Sequence, residues 1–189
     1  MTANNFINEY AQTAIDATKN VNLLPSVVIA MAAIESGWNT NKLSTEANNF
    51  FSIKAYTNPN GTPIIYANDD LSNEPFRTYA TPKDSFNDFV DFLYKQNARY
   101  LSHGLATATT PQEQLQAIMS AGYATSTYTG TALNIISSHS LQDFDKVKQT
   151  ETQDTTAAMV ISEQKKKEII YLIIVALLFA AFVIVYSYS

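Results

Sequence analysis

The chain has 189 residues, 46% of them hydrophobic, 12% aromatic and 15% charged, with a formal net charge of −5; that length suits one domain plus an appendage. An acidic balance with scattered Lys and Arg lacks the electrostatic footprint of a nucleic-acid binder. The absence of cysteine excludes disulfide scaffolds, thiolate zinc sites and cysteine nucleophiles, and His103 and His139, far apart without a neighbouring carboxylate pattern, offer neither a metal site nor a Ser-His-Asp triad.

Phe6, Tyr10, Ala14, Ala17 and Val21 recur at helical spacing and predict a first helix that ends near Asn20 and Asn22. A second helix is expected to start at Pro25, a residue favoured at the first helical position, and to stop at Gly37, which suits a C-terminal cap. Asn58-Pro59-Asn60-Gly61 and Asn68-Asp69-Asp70 read as turn clusters around the β-prone run Pro63 to Ala67, with Phe76 to Tyr79 as its partner strand. Thr81-Pro82-Lys83-Asp84 and Thr110-Pro111-Gln112-Glu113 are capping boxes; the first precedes Phe86, Phe89, Val90 and Leu93, the second Leu115, Ile118 and Met119 before Gly122. A last helix is expected over Leu133 to Ser138. Residues 1–148 thus predict an α+β domain, mostly helical with a small β-hairpin.

Residues 149–168 are rich in Thr, Gln and acids with no strong period and close on Lys165-Lys166-Lys167, a composition that predicts a polar linker with a basic flank. Ile169 to Tyr186 contains neither charge nor proline, and eighteen helical residues would reach about 27 Å, close to the hydrocarbon thickness of a bilayer. One C-terminal transmembrane helix, with the lipid bilayer as partner, is therefore expected. The lysine flank places the domain on the cytoplasmic side by the positive-inside bias. The first twenty residues have no basic n-region, apolar h-region or small-residue cleavage site, so no secretory signal is expected.

With cysteine and histidine set aside, chemistry must come from carboxylates, hydroxyls and amides, with no metal or organic cofactor. Val28, Met31, Ala32 and Glu35 share one face of the second helix. Burial beside that stripe and the negative end of the helix dipole would both raise the Glu35 pKa, as a general acid requires. Position alone also allows a glutamate that faces water at a helix end.

The segment Leu24 to Trp38, ending Ile34-Glu35-Ser36-Gly37-Trp38, followed by Asn48-Asn49-Phe50-Phe51-Ser52-Ile53-Lys54, closely resembles the glucosaminidase family of peptidoglycan hydrolases, which includes the flagellar rod-cap hydrolase domain and many autolysins. Phe76-Arg77-Thr78-Tyr79 with Ser85, and Gly122-Tyr123-Ala124-Thr125 with Tyr128, resemble two further blocks of that family, in order. The resemblance implies a lysozyme-like domain that cleaves the β-1,4 bond after N-acetylglucosamine, with the peptidoglycan glycan strand as partner and Glu35 as catalytic acid. Tyr123 matches a tyrosine that lines the reacting sugar in the family; Asn49, Phe50, Tyr128 and Trp38 are candidate substrate-binding residues. Glycoside hydrolysis usually needs a second carboxylate or a substrate group. Many members supply a glutamate from the hairpin; here Asp70 is the candidate, with Asp69 or Glu74 as alternatives.

Three departures touch the loops around the site: Ser52 and Asn39 stand where the family commonly has glycine, and Ser126 replaces an aspartate often found after the last block. A lytic transglycosylase, which forms an anhydro sugar with one glutamate, is the rival from the same broad fold, but its typical Gly-Leu-Met-Gln-like block is absent. A non-catalytic, membrane-tethered glycan-binding or structural protein is the rival from another class. The apolar span, the lysine flank and the missing signal together suggest a phage protein carried in a virion-associated membrane, with other virion proteins as partners; a bacterial envelope enzyme among envelope proteins is the alternative. Residues 1–150 carry nine Lys and Arg against thirteen Asp and Glu, so long-range attraction to an anionic wall is not expected.

Overall fold

In the computed structural model the first stripe folds as α1 (Ala3–Thr18), capped by the Thr2 hydroxyl and burying Phe6, Ile7, Tyr10, Ala11, Ala14 and Ile15. The structure describes residues 1–56, 63–69, 72–125 and 127–187, with side chains for all of these except 68, 69, 72, 151, 152 and 175–187. Two compact units divide the chain, Met1–Lys148 and Gln149–Ser189.

Helix α2 (Pro25–Ser36) is buried from Pro25 to Ala33 and contacts α1 on one side. A helix apolar on nearly every face can only be stable at the centre of a core. Its N-terminus has no cap from its own residue Leu24. The carboxylate of Asp145, far along the chain, accepts instead from the Ser26 amide at 2.9 Å and the Ser26 hydroxyl at 2.8 Å. Gly37, at φ 58°, closes the other end, where its amide and that of Trp38 turn back to Ile34 and Ala33. The short helix α3 (Lys42–Ala47), capped by Asn41, follows; no expectation covered it.

The hairpin pairs β1 (Ile64–Asp69) with β2 (Ser72–Arg77), from Ile64 opposite Arg77 to Asp69 opposite Ser72. Both strands therefore reach further toward the tip than expected. Asn68 and Asp69 are strand and not turn, and the partner strand ends at Arg77 instead of continuing to Tyr79. The reason lies beneath the hairpin. Arg77, fully buried, pairs with Asp88 at 2.6 Å, and the Tyr79 hydroxyl donates to the same carboxylate at 2.6 Å, while the Tyr79 amide donates to Ala47. Gln96 donates to the other Asp88 oxygen at 2.9 Å. These bonds draw Tyr79 onto the helices, while the Thr78 amide still donates to the Pro63 carbonyl at 2.8 Å. The Asn58–Gly61 cluster lies outside the described residues.

Both capping boxes form: Thr81 with Asp84 opens α4 (Pro82–Asp91), and Thr110 with Glu113 opens α6 (Pro111–Ser120). A π-helical turn (Phe92–Gln96) continues α4 and leads into the short α5 (Ala98–Ser102). Helix α7 (Thr127–Ser138) begins six residues before the expected start. Thr127, Thr129, Gly130 and Thr131 are weak helix formers, so only packing against α2 and α6 settles that stretch as helix. The first two turns of α8 (Gln142–Ser187) carry Asp145 and Lys148, and the Lys148 amine donates to the Val21 and Leu23 carbonyls, both at 2.8 Å.

In the second unit, residues 149–168, expected as a polar linker with a basic flank, are helical: Gln, Glu, Lys, Ala and Met favour helix, and Lys166 pairs with Glu163 at 2.7 Å. The run 169–186 lies in the same helix. Among the described residues no helix is long and apolar enough to cross a membrane; most of the expected span, from residue 175, has its side chains outside that description.

Candidate active site

Glu35 sits in the last turn of α2, half-buried, where the Gly37 turn ends the helix. The Asn41 side-chain amide donates to the Glu35 carbonyl at 2.6 Å, so the end of the helix is held by the chain that leaves it. The glutamate opens into a cleft of about 820 Å³ lined also by Phe51, Lys54, Phe76, Arg99 and Tyr123. Among the described residues Glu35 is the only carboxylate in that lining.

Two tyrosines belong to Glu35. Tyr123 donates from its hydroxyl to the Phe51 carbonyl at 3.0 Å, and its ring meets Phe89 and Tyr128 edge to face, with centroids 6.0 and 6.2 Å away. Burial, then the negative charge of Glu35, hold the Tyr123 pKa well above the usual phenol range. The Tyr128 hydroxyl is buried without a hydrogen-bond partner. Burial, then the negative charge of the Glu35 carboxylate and its approach to the hydroxyl, raise the Tyr128 pKa. Both phenols therefore stay protonated at neutral pH.

Asn49, expected to bind substrate, is fully buried. Its amide donates to the Ile53 and Arg77 carbonyls at 3.0 and 2.9 Å, and its oxygen accepts from the Ile53 amide at 3.0 Å. It holds Ile53, which lines the cleft, and is itself absent from that lining. Phe50, 1% exposed, is likewise core, packed against Tyr10 and Phe86, while its amide donates to the Ser85 hydroxyl at 3.1 Å. Trp38 is half-buried between Phe6 and His139, both with ring centroids at 5.5 Å, and is absent from the cleft lining. Asn49 and Phe50 are thus used inside the fold, and Trp38 packs at its edge, outside the cleft lining.

Asp70, the first candidate for a second carboxylate, and Ser126 lie outside the described residues. Asp69 stands at the last paired position of β1, opposite Ser72. Glu74 is half-buried on β2, opposite Ala67 and two residues from Phe76, so it shares the sheet face that Phe76 turns to the cleft. Ser52 and Asn39 both adopt left-handed backbone, at φ 51° and 59°. That is where glycine is cheapest, which accounts physically for the family's preference. Asn39 recovers part of the cost by donating to the Tyr10 hydroxyl at 3.0 Å. His103 is exposed, and among the described residues no cluster of His, Asp and Glu could hold a metal.

Arg99 and Tyr56 are among the cleft residues that the sequence did not single out, and Lys54 was read only as the end of a motif. A lone charged or aromatic residue outside any motif carries no local signal; only the position of α5 and the bridge between Lys54 and Phe76 bring them to the cleft.

Comparison with known proteins agrees with this geometry. The glucosaminidase family model (mannosyl-glycoprotein endo-beta-N-acetylglucosaminidase) matches residues 11–141. The peptidoglycan hydrolase FlgJ of Vibrio parahaemolyticus is 33% identical over 141 residues, covering 69% of this chain and 45% of the relative. The exo-glucosaminidase LytG of Bacillus subtilis is 26% identical, covering 75% of this chain and 53% of the relative. The chain thus spans about half the length of these curated relatives. Among solved structures, the catalytic domain of the autolysin Auto from Listeria monocytogenes superposes with a TM-score of 0.61 at 30% identity, covering 76% of this chain and 87% of that domain.

Proposed function

The chain belongs to the glucosaminidase family, and from that premise we propose that it is a peptidoglycan hydrolase that cleaves the β-1,4 bond between N-acetylglucosamine and N-acetylmuramic acid, with Glu35 as general acid. The observation that carries this reading is the placement of Glu35: a half-buried carboxyl at a helix C-terminus, open to a sugar-sized cleft and flanked by two neutral phenols. Glu35 donates its proton to the glycosidic oxygen as the bond breaks and positive charge develops on the sugar ring. Tyr123 lines the cleft beside Glu35 and faces the bound sugar, while Tyr128, its hydroxyl buried next to Glu35, packs against the Tyr123 ring. A carboxylate from the hairpin, Asp70 first and Asp69 or Glu74 as alternatives, stabilises that charge or activates water.

The test is incubation of the chain and its Glu35→Gln variant with purified peptidoglycan, followed by reduction and mass spectrometry of the released muropeptides. New reducing-end N-acetylglucosamine from the parent alone is the expected result. Products ending in 1,6-anhydromuramic acid would instead establish a lytic transglycosylase, a reading favoured by the single carboxylate among the described cleft residues. Absence of any cleavage by folded protein would leave a glycan-binding module.

The same proposal attaches the domain to a lipid bilayer through residues 169–186, supported by an uncharged run of eighteen residues with helical backbone through Ser187. Flotation with liposomes should carry the parent and not a variant with Ile174→Lys and Leu177→Lys. Placement in a virion membrane predicts the protein in purified phage particles; its presence only in host envelopes would favour a bacterial envelope enzyme.

A further inference from the structure

The cleft holds a positive charge that acid catalysis does not use. Arg99, exposed on α5, lines the cleft together with Glu35. Among the described residues it has no ion-pair partner. Its guanidinium is nonetheless held in place: Nη2 donates to the Tyr100 hydroxyl at 2.9 Å and the guanidinium carbon sits 4.9 Å from the centroid of the Tyr100 ring. Tyr100 is itself fully buried, so this anchor is rigid. On another side lies Gly122, where a Cβ would stand 3.9 Å from Nη1; its φ of 83° also favours glycine.

A flexible surface arginine is spread over many rotamers, whereas one fixed by a ring and a hydroxyl has lost that entropy before any ligand arrives. Only one of its five N–H donors is committed to Tyr100, and the planar fork of those remaining matches a carboxylate. Lys54 adds a second positive group to the same cleft, with Nζ 5.6 and 6.0 Å from the centroids of the Tyr56 and Phe76 rings. This local sign runs against the acidic balance of residues 1–150.

We propose that Arg99 is a specificity residue that binds a carboxylate pendant from the glycan strand, next to the bond that Glu35 cleaves. The inference rests on the glycosidase reading and adds to it a preference for anionic over neutral strands. Two sources supply that chemistry in peptidoglycan: carboxylates of the stem peptide, and the lactyl carboxylate of muramic acid once the peptide is removed.

The experiment compares the full chain with Arg99→Gln and Arg99→Lys on three substrates: peptide-bearing strands, strands stripped by an amidase, and neutral chito-oligosaccharides. Loss of one charge-assisted bond is expected to lower kcat/KM of Arg99→Gln about tenfold on the anionic strands, mainly through KM. Neutral oligosaccharide cleavage should stay within about twofold, and Arg99→Lys should recover part of the loss. A defect confined to peptide-bearing strands identifies the stem carboxylate; a defect confined to stripped strands identifies the lactyl group, which is an amide while the peptide is attached; a defect on both shows that Arg99 accepts either carboxylate. Equal loss on all three substrates, or loss on none, would overturn the proposal. Co-sedimentation of Glu35→Gln chains with and without Arg99→Gln reads the same preference without turnover. Failure of the parent to cleave would therefore sink the glycosidase reading, while the binding data would still decide the role of Arg99.

Discussion

Asn49 shows how a motif residue differs from a site residue. Its three hydrogen bonds tie the turn before Lys54 to the end of β2, and no water can replace them at a fully buried position. Asn49→Ala should lower unfolding free energy by about 3 kcal/mol, since two carbonyls and an amide lose their partner, and the shift should appear in the urea midpoint with an unchanged m-value. Tyr128→Phe should do the opposite. Its hydroxyl is buried beside Glu35 without a geometric hydrogen bond, so stability should stay within about 0.5 kcal/mol, whereas peptidoglycan turnover should fall at least about tenfold if that O–H reaches the glutamate during proton transfer. Unchanged turnover would restrict Tyr128 to filling space. Helical spacing and a terminal glycine place Glu35 at the end of an apolar stripe, but they leave its role open; the resemblance of the segment around it is what singles it out. The roles of Asn49, Phe50 and Trp38 were not legible in the sequence, because burial depends on what packs above them, and Arg99 was missed because an isolated arginine has no pattern.

Secondary structure was most readable where one short segment carries its own stop or start signal. Both Thr-Pro-x-acid boxes and the Gly37 cap are complete within a few residues. The elements that escaped, α3, the early turns of α7 and the true extent of the hairpin, are decided by partners elsewhere: the Arg77–Asp88–Tyr79 network for the strands, and α2 with α6 for α7. The cap of α2 is a particular case, because its acceptor comes from α8, 119 residues later. Asp145 is buried, and desolvation raises its pKa despite its bonds to Ser26 and the nearby Lys148. Its net value therefore lies in satisfying the α2 amide and in docking the first turn of α8. Asp145→Ala should cost about 2 kcal/mol, in the range for a lost N-cap plus a buried donor. Thermal denaturation of Asp145→Ala beside Asp145→Asn, which retains an acceptor, measures it; a smaller loss in the asparagine variant is expected, and equal losses would point to packing instead.

At the scale of the whole molecule, the first unit is stabilised by an aromatic core whose hydroxyls are protected from ionisation. Burial raises the pKa of Tyr10, Tyr79, Tyr94, Tyr100, Tyr123 and Tyr128, with Tyr94 pushed up to about 12. In the unfolded chain each phenol ionises near 10. Between pH 10 and 12 the unfolded state therefore holds fewer protons than the folded one, and stability falls as pH rises. Lys148 acts in the other sense. Burial lowers its pKa to about 8, so between pH 8 and about 10.5 the folded state holds the fewer protons and stability rises. The two effects predict a melting temperature that is held or slightly raised from pH 8 to 10 and then falls steeply. Phenolate absorbance near 295 nm should follow the same course: the buried tyrosines should ionise together with loss of helical circular dichroism above pH 10, because no folded intermediate can expose six of them. Smooth titration of all tyrosines before any loss of helix would show the core to be open to hydroxide.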